Sequence, residues 1–131
     1  MYTEENFINI IIENFPDFQI DWEENLEFWG GDPRGNCNDM SVFSRYVVKL
    51  IENGNTGNLK KIFDLIEDFM VNGNSEIQTI TATCFLENLI NMTPEIIPSE
   101  AYIHLLGKKS KKYCIAWDEF TGVKTDGLYD K

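Results

Sequence analysis

The stretch SEIQTITATCFLENLIN, residues 75 to 91, decides the fold of this chain. Its apolar residues fall on nearly every side of a helix: Ile77, Ile80, Ala82, Cys84, Phe85, Leu86, Leu89 and Ile90. A helix that is apolar all round is covered by its neighbours on every face. We therefore predict that residues 75 to 91 form the central, most buried helix. Ser75 and Gln78 are spaced as a capping box at its start.

The sequence on either side of this stretch also has helical periodicity. Apolar residues recur every three or four positions, which predicts helices over residues 3 to 14, 18 to 28, 40 to 52, 57 to 71, 99 to 106 and 110 to 120. No run alternates with period two for long enough to make a convincing strand. The sequence predicts an all-α fold of five to seven helices, and both a compact helical bundle and a short HEAT-like stack of helical hairpins fit the pattern.

The chain of 131 residues has the usual size of one domain, and it carries three tryptophans, five tyrosines and nine phenylalanines for a core. We predict a single helical domain over 1–131, with acidic N-terminal helices over 1–29, a connector over 30–39 and a helical body over 40–131. The segment GGDPRGNCND makes the connector, because its Gly-Gly, Asp-Pro and Arg-Gly pairs favour turns. No stretch has the pattern of a signal peptide or a membrane span, so we expect a cytoplasmic protein.

Charge is distributed very unevenly along the chain. The formal net charge is −11, and the first 33 residues carry nine carboxylates without one lysine or arginine. Such a field repels nucleic acid and anionic membranes and attracts a basic protein surface. The dense basic cluster KKSKK at 108 to 112 is surrounded by acidic residues, and we place it at a junction between two helices, beside the C-terminal carbonyls of the first.

The cysteines and the single histidine give no pattern of a metal or cofactor site. Cys37, Cys84 and Cys114 are odd in number and widely spaced, so we predict three reduced thiols in a reducing cytoplasm and no bound metal or cofactor. His104 has apolar neighbours and is predicted to lie half-buried on a helix flank.

Two glutamates are the strongest candidates for catalysis. Glu67 and Glu87 each lie in an apolar context on helices that we expect to pair, which would allow a buried carboxylate site. Their placement on the exposed edge of the hairpin is the favoured interpretation, because glutamates are mostly solvated. The chain lacks a Ser/His/Asp arrangement, a zinc-protease motif and a dinucleotide fingerprint, and we predict that it is not an enzyme.

Three segments resemble a known family. They are NDMSVFSRYVVKLIE (38 to 52), LIEDFMVNGNSEIQTITATCFLENLIN (65 to 91) and LLGKKSKKYCIAWDEFTGVKTDGL (105 to 128). They look like a family of small, uncharacterised, acidic helical bacterial proteins that includes immunity proteins of polymorphic and contact-dependent toxin systems. What the resemblance implies is a cytoplasmic protein that neutralises a cognate toxin by direct contact.

The acidic N-terminal portion is the predicted contact surface for such a partner. A nuclease toxin is basic because it binds a polyanion, so acidic residues complement it. The predicted partner-binding residues are Asp21, Glu23, Glu24, Glu27, Trp29 and Asp32, with Trp22 as a second aromatic candidate. The spacing of Trp22 and Trp29 matches a helical stripe, so we expect at least one of them in the core. A helical scaffold or regulatory module with an endogenous partner is the alternative, and an enzyme with converging carboxylates is the third hypothesis.

Overall fold

The computed structural model of this chain describes residues 1–30 and 35–129. Over those ranges the chain forms helices and no strand, which confirms the predicted all-α class and the predicted number of helices. The seven α-helices are α1 (Phe7–Asn14), α2 (Phe18–Phe28), α3 (Asn36–Glu52), α4 (Leu59–Asn72), α5 (Ser75–Thr81), α6 (Glu87–Asn91) and α7 (Lys108–Thr121).

The segment 75 to 91 is the centre of the molecule. One π-helical turn, Ala82–Leu86, joins α5 to α6 without a break, and the segment packs against α3, α4 and α7. Phe85 is fully buried, with its ring centroid 5.6 Å from that of Phe43 and 6.0 Å from that of Phe63. The prediction from the apolar pattern is therefore confirmed for its key residue.

The wide π turn is stabilised by side chains from α3 and α6. Asn88 Nδ2 donates to the Cys84 carbonyl at 2.8 Å and to Ser44 Oγ at 3.2 Å. A π turn shifts the regular backbone pairing, so side-chain donors of this kind satisfy its carbonyl groups. This polar cluster ties α3 to the central segment.

Several predicted boundaries shift by a few residues. The cap of α5 is Asn74, whose Oδ1 accepts from the Ile77 N–H at 2.9 Å, and the predicted cap Ser75 is the first helical residue instead. Asparagine is as good an N-cap as serine, and Asn74 has the extended backbone that the position needs. Residues 99 to 106 form two short 3₁₀ turns, Ser99–Ala101 and Ile103–Leu105, in place of one α-helix.

The predicted connector is shorter than expected. Residues 36 to 39 belong to the first turn of α3, so the α3 helix reaches four residues further toward the N-terminus than the predicted start at 40. Residues 31 to 34 of the connector lie outside the described residues.

The prediction of three free thiols is wrong. Cys37 and Cys84 form a disulfide with an S–S distance of 2.13 Å, and the remaining cysteine, Cys114, is buried and free. The pairing joins residues 47 apart in sequence, because packing of α3 on the π turn brings the two Cα atoms within 5.5 Å. Sequence spacing alone holds no signal for such a contact.

The segment that follows α7 is held against this helix by hydrogen bonds to a buried carboxylate. Asp118 is fully buried and accepts from the Thr125 N–H at 2.6 Å and from the Thr125 hydroxyl at 3.0 Å. Leu128 follows and is buried in the core. Across the described ranges, none of the helices combines the length and the apolar character needed to span a membrane.

Candidate functional site

The acidic helix α2 presents one exposed face that combines carboxylates with large apolar side chains. Its inner face is held by Phe18, which is fully buried and packs edge-on against Phe43 and Tyr46 of α3 at centroid distances of 5.1 and 5.4 Å. At about 100° per residue, the exposed side chains share one arc of the helix surface. They define the α2 face: Ile20, Glu23, Glu24, Glu27 and Phe28.

A groove of about 480 Å³ lies between α2 and α3 beside this face. Three of the six predicted partner-binding residues, Asp21, Glu24 and Trp29, line the groove. The α3 wall adds Arg45 and Lys49, which the sequence analysis did not include. The groove is therefore of mixed charge, whereas the α2 face beside it carries only acidic charge.

Asp21 has a partner within the protein. Its carboxylate lies 2.7 Å from Lys49 Nζ, and its side chain is less exposed than that of Lys49. The same carboxylate also affects Tyr46 of α3. The pKa of Tyr46 is raised mainly by burial, and to a smaller extent by the negative charges of Asp17 and Asp21. Asp21 thus helps to hold α2 on α3. Among the described residues, the predicted acidic patch keeps Glu23, Glu24 and Glu27 as its exposed carboxylates.

The two tryptophans of the site are Trp22 within α2 and Trp29 at its C-cap. Trp22 packs against the core but is only half-buried, with its ring 6.5 Å from that of Phe18. Trp29 is also half-buried, and Phe28 stands edge-on to it at 4.8 Å. Neither indole is fully buried, so the expectation of a core tryptophan is met only by the partial packing of Trp22.

Phe28 is the most exposed aromatic residue of the site, at 76%. The sequence-based prediction did not include Phe28, because periodicity gives the side of a helix on which a residue lies and not whether a neighbouring element covers it. The remaining predicted residue, Asp32, lies outside the described residues.

The two candidate catalytic glutamates do not form a pair. Each carboxylate accepts hydrogen bonds from a different part of α7. Glu67 Oε2 accepts from the Lys109 N–H at 2.8 Å, and Glu87 accepts from the Tyr113 hydroxyl. Burial and that hydrogen bond raise the pKa of Tyr113. Both glutamates connect helices, and neither faces a pocket as a free acid or base.

A second cleft, of about 540 Å³, lies between the 3₁₀ turns and the C-terminal loop. His104 and Asp126 line it, and His104 is exposed rather than half-buried as predicted, because residues 103 to 105 form a surface 3₁₀ turn. In the part of the chain that the structure describes, histidine, cysteine, aspartate and glutamate side chains form no cluster of three able to hold a metal ion.

Comparison with known proteins gives one match. No curated protein and no solved structure matches the chain. The model of a family described as "Domain of unknown function (DUF7674)" matches residues 8–122. These residues include α2, the groove and all of α7, and they make up most of the chain, so the chain belongs to the DUF7674 family.

Proposed function

We propose that this protein is a binding protein that holds a basic protein partner on the α2 face and in the adjoining groove. One observation carries the proposal: the exposed carboxylates of Glu23, Glu24 and Glu27 share a helix face with Phe28, which is 76% exposed. Soluble proteins expose most large aromatic side chains only in part, and an aromatic residue within a charged rim is typical of a protein interface.

The two kinds of side chain have different tasks in such an interface. Exposed charges accelerate encounter with an oppositely charged surface, whereas a desolvated aromatic residue holds the complex together. The positions of Phe28 and Trp29 at the end of α2 place an apolar anchor beside the acidic patch. The carboxylates therefore select a basic partner, and the aromatic pair binds its apolar surface.

The proposal extends to the identity of the partner and to the compartment in which the two proteins meet. The partner is a cognate toxin with a nuclease-like basic surface, and this chain neutralises it in the cytoplasm by direct contact. The net charge of −11 supports this part, as does the likeness of residues 38–52, 65–91 and 105–128 to immunity proteins. Structural disulfides belong to oxidising compartments, so the redox state of Cys37 and Cys84 in cells tests the compartment directly.

If this chain is an immunity protein, the gene directly upstream is expected to encode the toxin, and the experiment uses the C-terminal domain of that upstream protein. Its association rate is measured against ionic strength for the wild type, for the E23K/E24K/E27K variant and for a control, E52K/E76K/E95K. The control residues are also exposed, and both variants change the net charge equally. We expect the first variant to associate at least about tenfold more slowly and the control to stay close to the wild type.

Equal slowing in both variants would show that net charge, and not the α2 face, steers binding. An unchanged rate in the first variant would move the contact away from α2. Binding that leaves the toxic activity intact would support a scaffold or regulatory module. Absence of binding by the wild type would overturn the proposed partner.

A further inference from the structure

The last helix, α7, carries an exposed aromatic face on the part of the protein farthest from α2 in the sequence. Phe120 is 81% exposed, and its ring stacks on that of Trp117 at 5.6 Å. Tyr113 and Ala116 continue the apolar surface along the helix. A phenylalanine exposed to this degree has an unfavourable hydration free energy unless another surface covers it.

Hydrogen bonds hold this aromatic surface in one arrangement. The Trp117 indole N–H donates to Asn91 Oδ1 at 3.2 Å, and the Tyr113 hydroxyl donates to the Glu87 carboxylate. Both acceptors belong to α6. Because the rings are positioned before any partner arrives, docking on them loses little side-chain entropy.

The aromatic surface has a basic end. Lys109 and Lys112 are exposed in the first turns of α7 and fall on the same side of the helix as Phe120, given about 100° per residue. We call this surface the α7 face: Lys109, Lys112, Tyr113, Ala116, Trp117 and Phe120. Its best partner is a helix with acidic side chains at one end and apolar ones at the other.

The α2 face has this pattern from Ile20 to Glu27, and Phe28 adds an exposed ring beside the acidic end. Ile20, at its N-terminal end, is 63% exposed, and Glu24 and Glu27 lie further along the helix. Glu27 lies about 10 Å along the axis from Ile20, and Lys112 lies about 12 Å from Phe120, at 1.5 Å per residue. When the two helices dock antiparallel with Ile20 against Phe120, Glu27 lies opposite Lys112 at the other end of the contact.

We propose that the α7 face docks the α2 face of a second copy of this chain. Within one copy, α2 packs on α3, whereas α7 packs on α4 and α6, so the two faces are distinct surfaces of the chain. The contact is therefore head to tail. In a bound pair, one copy keeps a free α2 face and the other keeps a free α7 face, so further copies can add. The inference requires no other protein, and a basic partner on α2 competes with the second copy.

Sedimentation equilibrium tests the contact at about 0.15 M salt, which screens the repulsion between two copies of net charge −11. It is run over about a hundredfold range of concentration, because a reversible self-association shifts with concentration. We expect the average mass of the wild type to rise above the monomer mass of 15.2 kDa. Two variants each remove one face: E24K/E27K on α2 and F120S on α7. Each weakens self-association at least about tenfold, and the exposed control variant E52K/E76K does not.

Mixing the two variants gives the sharpest result. The F120S protein keeps an intact α2 face, and the E24K/E27K protein keeps an intact α7 face, so one contact forms between them. The two altered faces are both basic and repel each other. We expect the mixture to form a 1:1 dimer and to grow no further, although neither variant associates alone.

Charge exchange provides an independent measurement. The variant E27K/K112E reverses the one charge pair that the antiparallel alignment brings together, and we expect it to recover the self-association that E27K alone loses. Circular dichroism and melting temperature check that each variant is folded. A wild type that stays monomeric at all concentrations, or a mixture of variants that stays monomeric, overturns the proposal.

Discussion

Glu67 on α4 and Ser110 on α7 are joined by two hydrogen bonds, in which Glu67 Oε1 accepts from the Ser110 N–H at 2.9 Å and from its hydroxyl at 2.8 Å. The N-cap residue of α7 is Gly107, which has no side chain to satisfy the first N–H groups. A carboxylate from another helix performs the capping. Its negative charge also offsets the lysines of the first turn, which are unfavourable at the positive end of a helix.

Removing this carboxylate should destabilise the fold through α7. We expect Glu67→Ala to lower the free energy of unfolding by about 1 to 3 kcal/mol, because the Lys109 and Ser110 N–H groups and the Ser110 hydroxyl lose a charged acceptor. Urea unfolding measures the loss. Asp64→Ala on the same helix is the control, since its carboxylate is exposed and pairs with Lys60 one turn away.

Gly107→Ala tests the same contact from the other side. A Cβ at position 107 would lie 2.3 Å from Glu67 Cγ, so Glu67 must move and its capping bonds weaken. We expect Gly107→Ala to cost clearly less in the Glu67→Ala background than in the wild type. Additive costs would show that Glu67 does not cap α7.

Two phenylalanines give a matched test of the core. Phe85 is fully buried between Phe43 and Phe63, whereas Phe120 is 81% exposed. We expect Phe85→Ala to cost about 3 to 5 kcal/mol and Phe120→Ala less than about 0.5 kcal/mol in a dilute, monomeric sample. Urea unfolding of both variants measures the difference, and similar costs would contradict the assignment of the core.

Sequence reasoning succeeded where local patterns decide structure. The bounds of α2 follow from Pro16 and the spacing of its apolar residues, and the central segment follows from apolar residues on all sides. It failed where contacts between distant segments decide the outcome. The disulfide of Cys37 and Cys84, and the capping of α7 by Glu67, depend on how α3, α4 and α7 pack.

The candidate site was predictable only in part. Carboxylate density located the α2 face, but the pairing of Asp21 with Lys49 required the position of α3. Helical periodicity predicted that Tyr113, Trp117 and Phe120 share a face, yet periodicity does not tell a buried stripe from an exposed one. Burial depends on whether another helix covers the face, and Phe120 is left uncovered within this chain.

The disulfide should contribute strongly to stability. It closes a loop between residues 47 apart, for which the chain-entropy model gives about 4 kcal/mol at 25 °C. We expect a reducing agent to lower the urea midpoint of the wild type. Cys37→Ser cannot form the disulfide, so we expect its urea midpoint to be lower than that of the oxidised wild type both with and without reductant.

Thiol titration in denaturant without reductant gives a direct count. One reactive thiol, from Cys114, is expected for the wild type, and Cys37→Ser should show two. Three thiols in a wild-type sample purified without reductant would contradict the disulfide.

Alkaline pH should destabilise the protein through Cys114. Burial, and then the charges of Asp118 and Glu87, raise the pKa of this thiol from 9.0 to about 12. The unfolded chain therefore releases the proton at lower pH than the folded chain does, and stability falls as pH rises from about 9 toward 12. For one such group, the free energy of unfolding falls by up to about 1.4 kcal/mol per pH unit.

Two variants separate the contributions to this pH dependence. Cys114→Ala should flatten the decline from pH 9 upward, although its stability at neutral pH is lower because of the lost packing. The hydrogen bond to Asp68 raises the pKa of Tyr2 from 10.0 to about 12, so Tyr2→Phe should flatten the decline only above about pH 10. Urea unfolding at intervals from pH 7 to pH 11, without reductant, measures both. A decline that begins at pH 9 and is equally steep in Cys114→Ala would show that the thiol is not protected in the folded state.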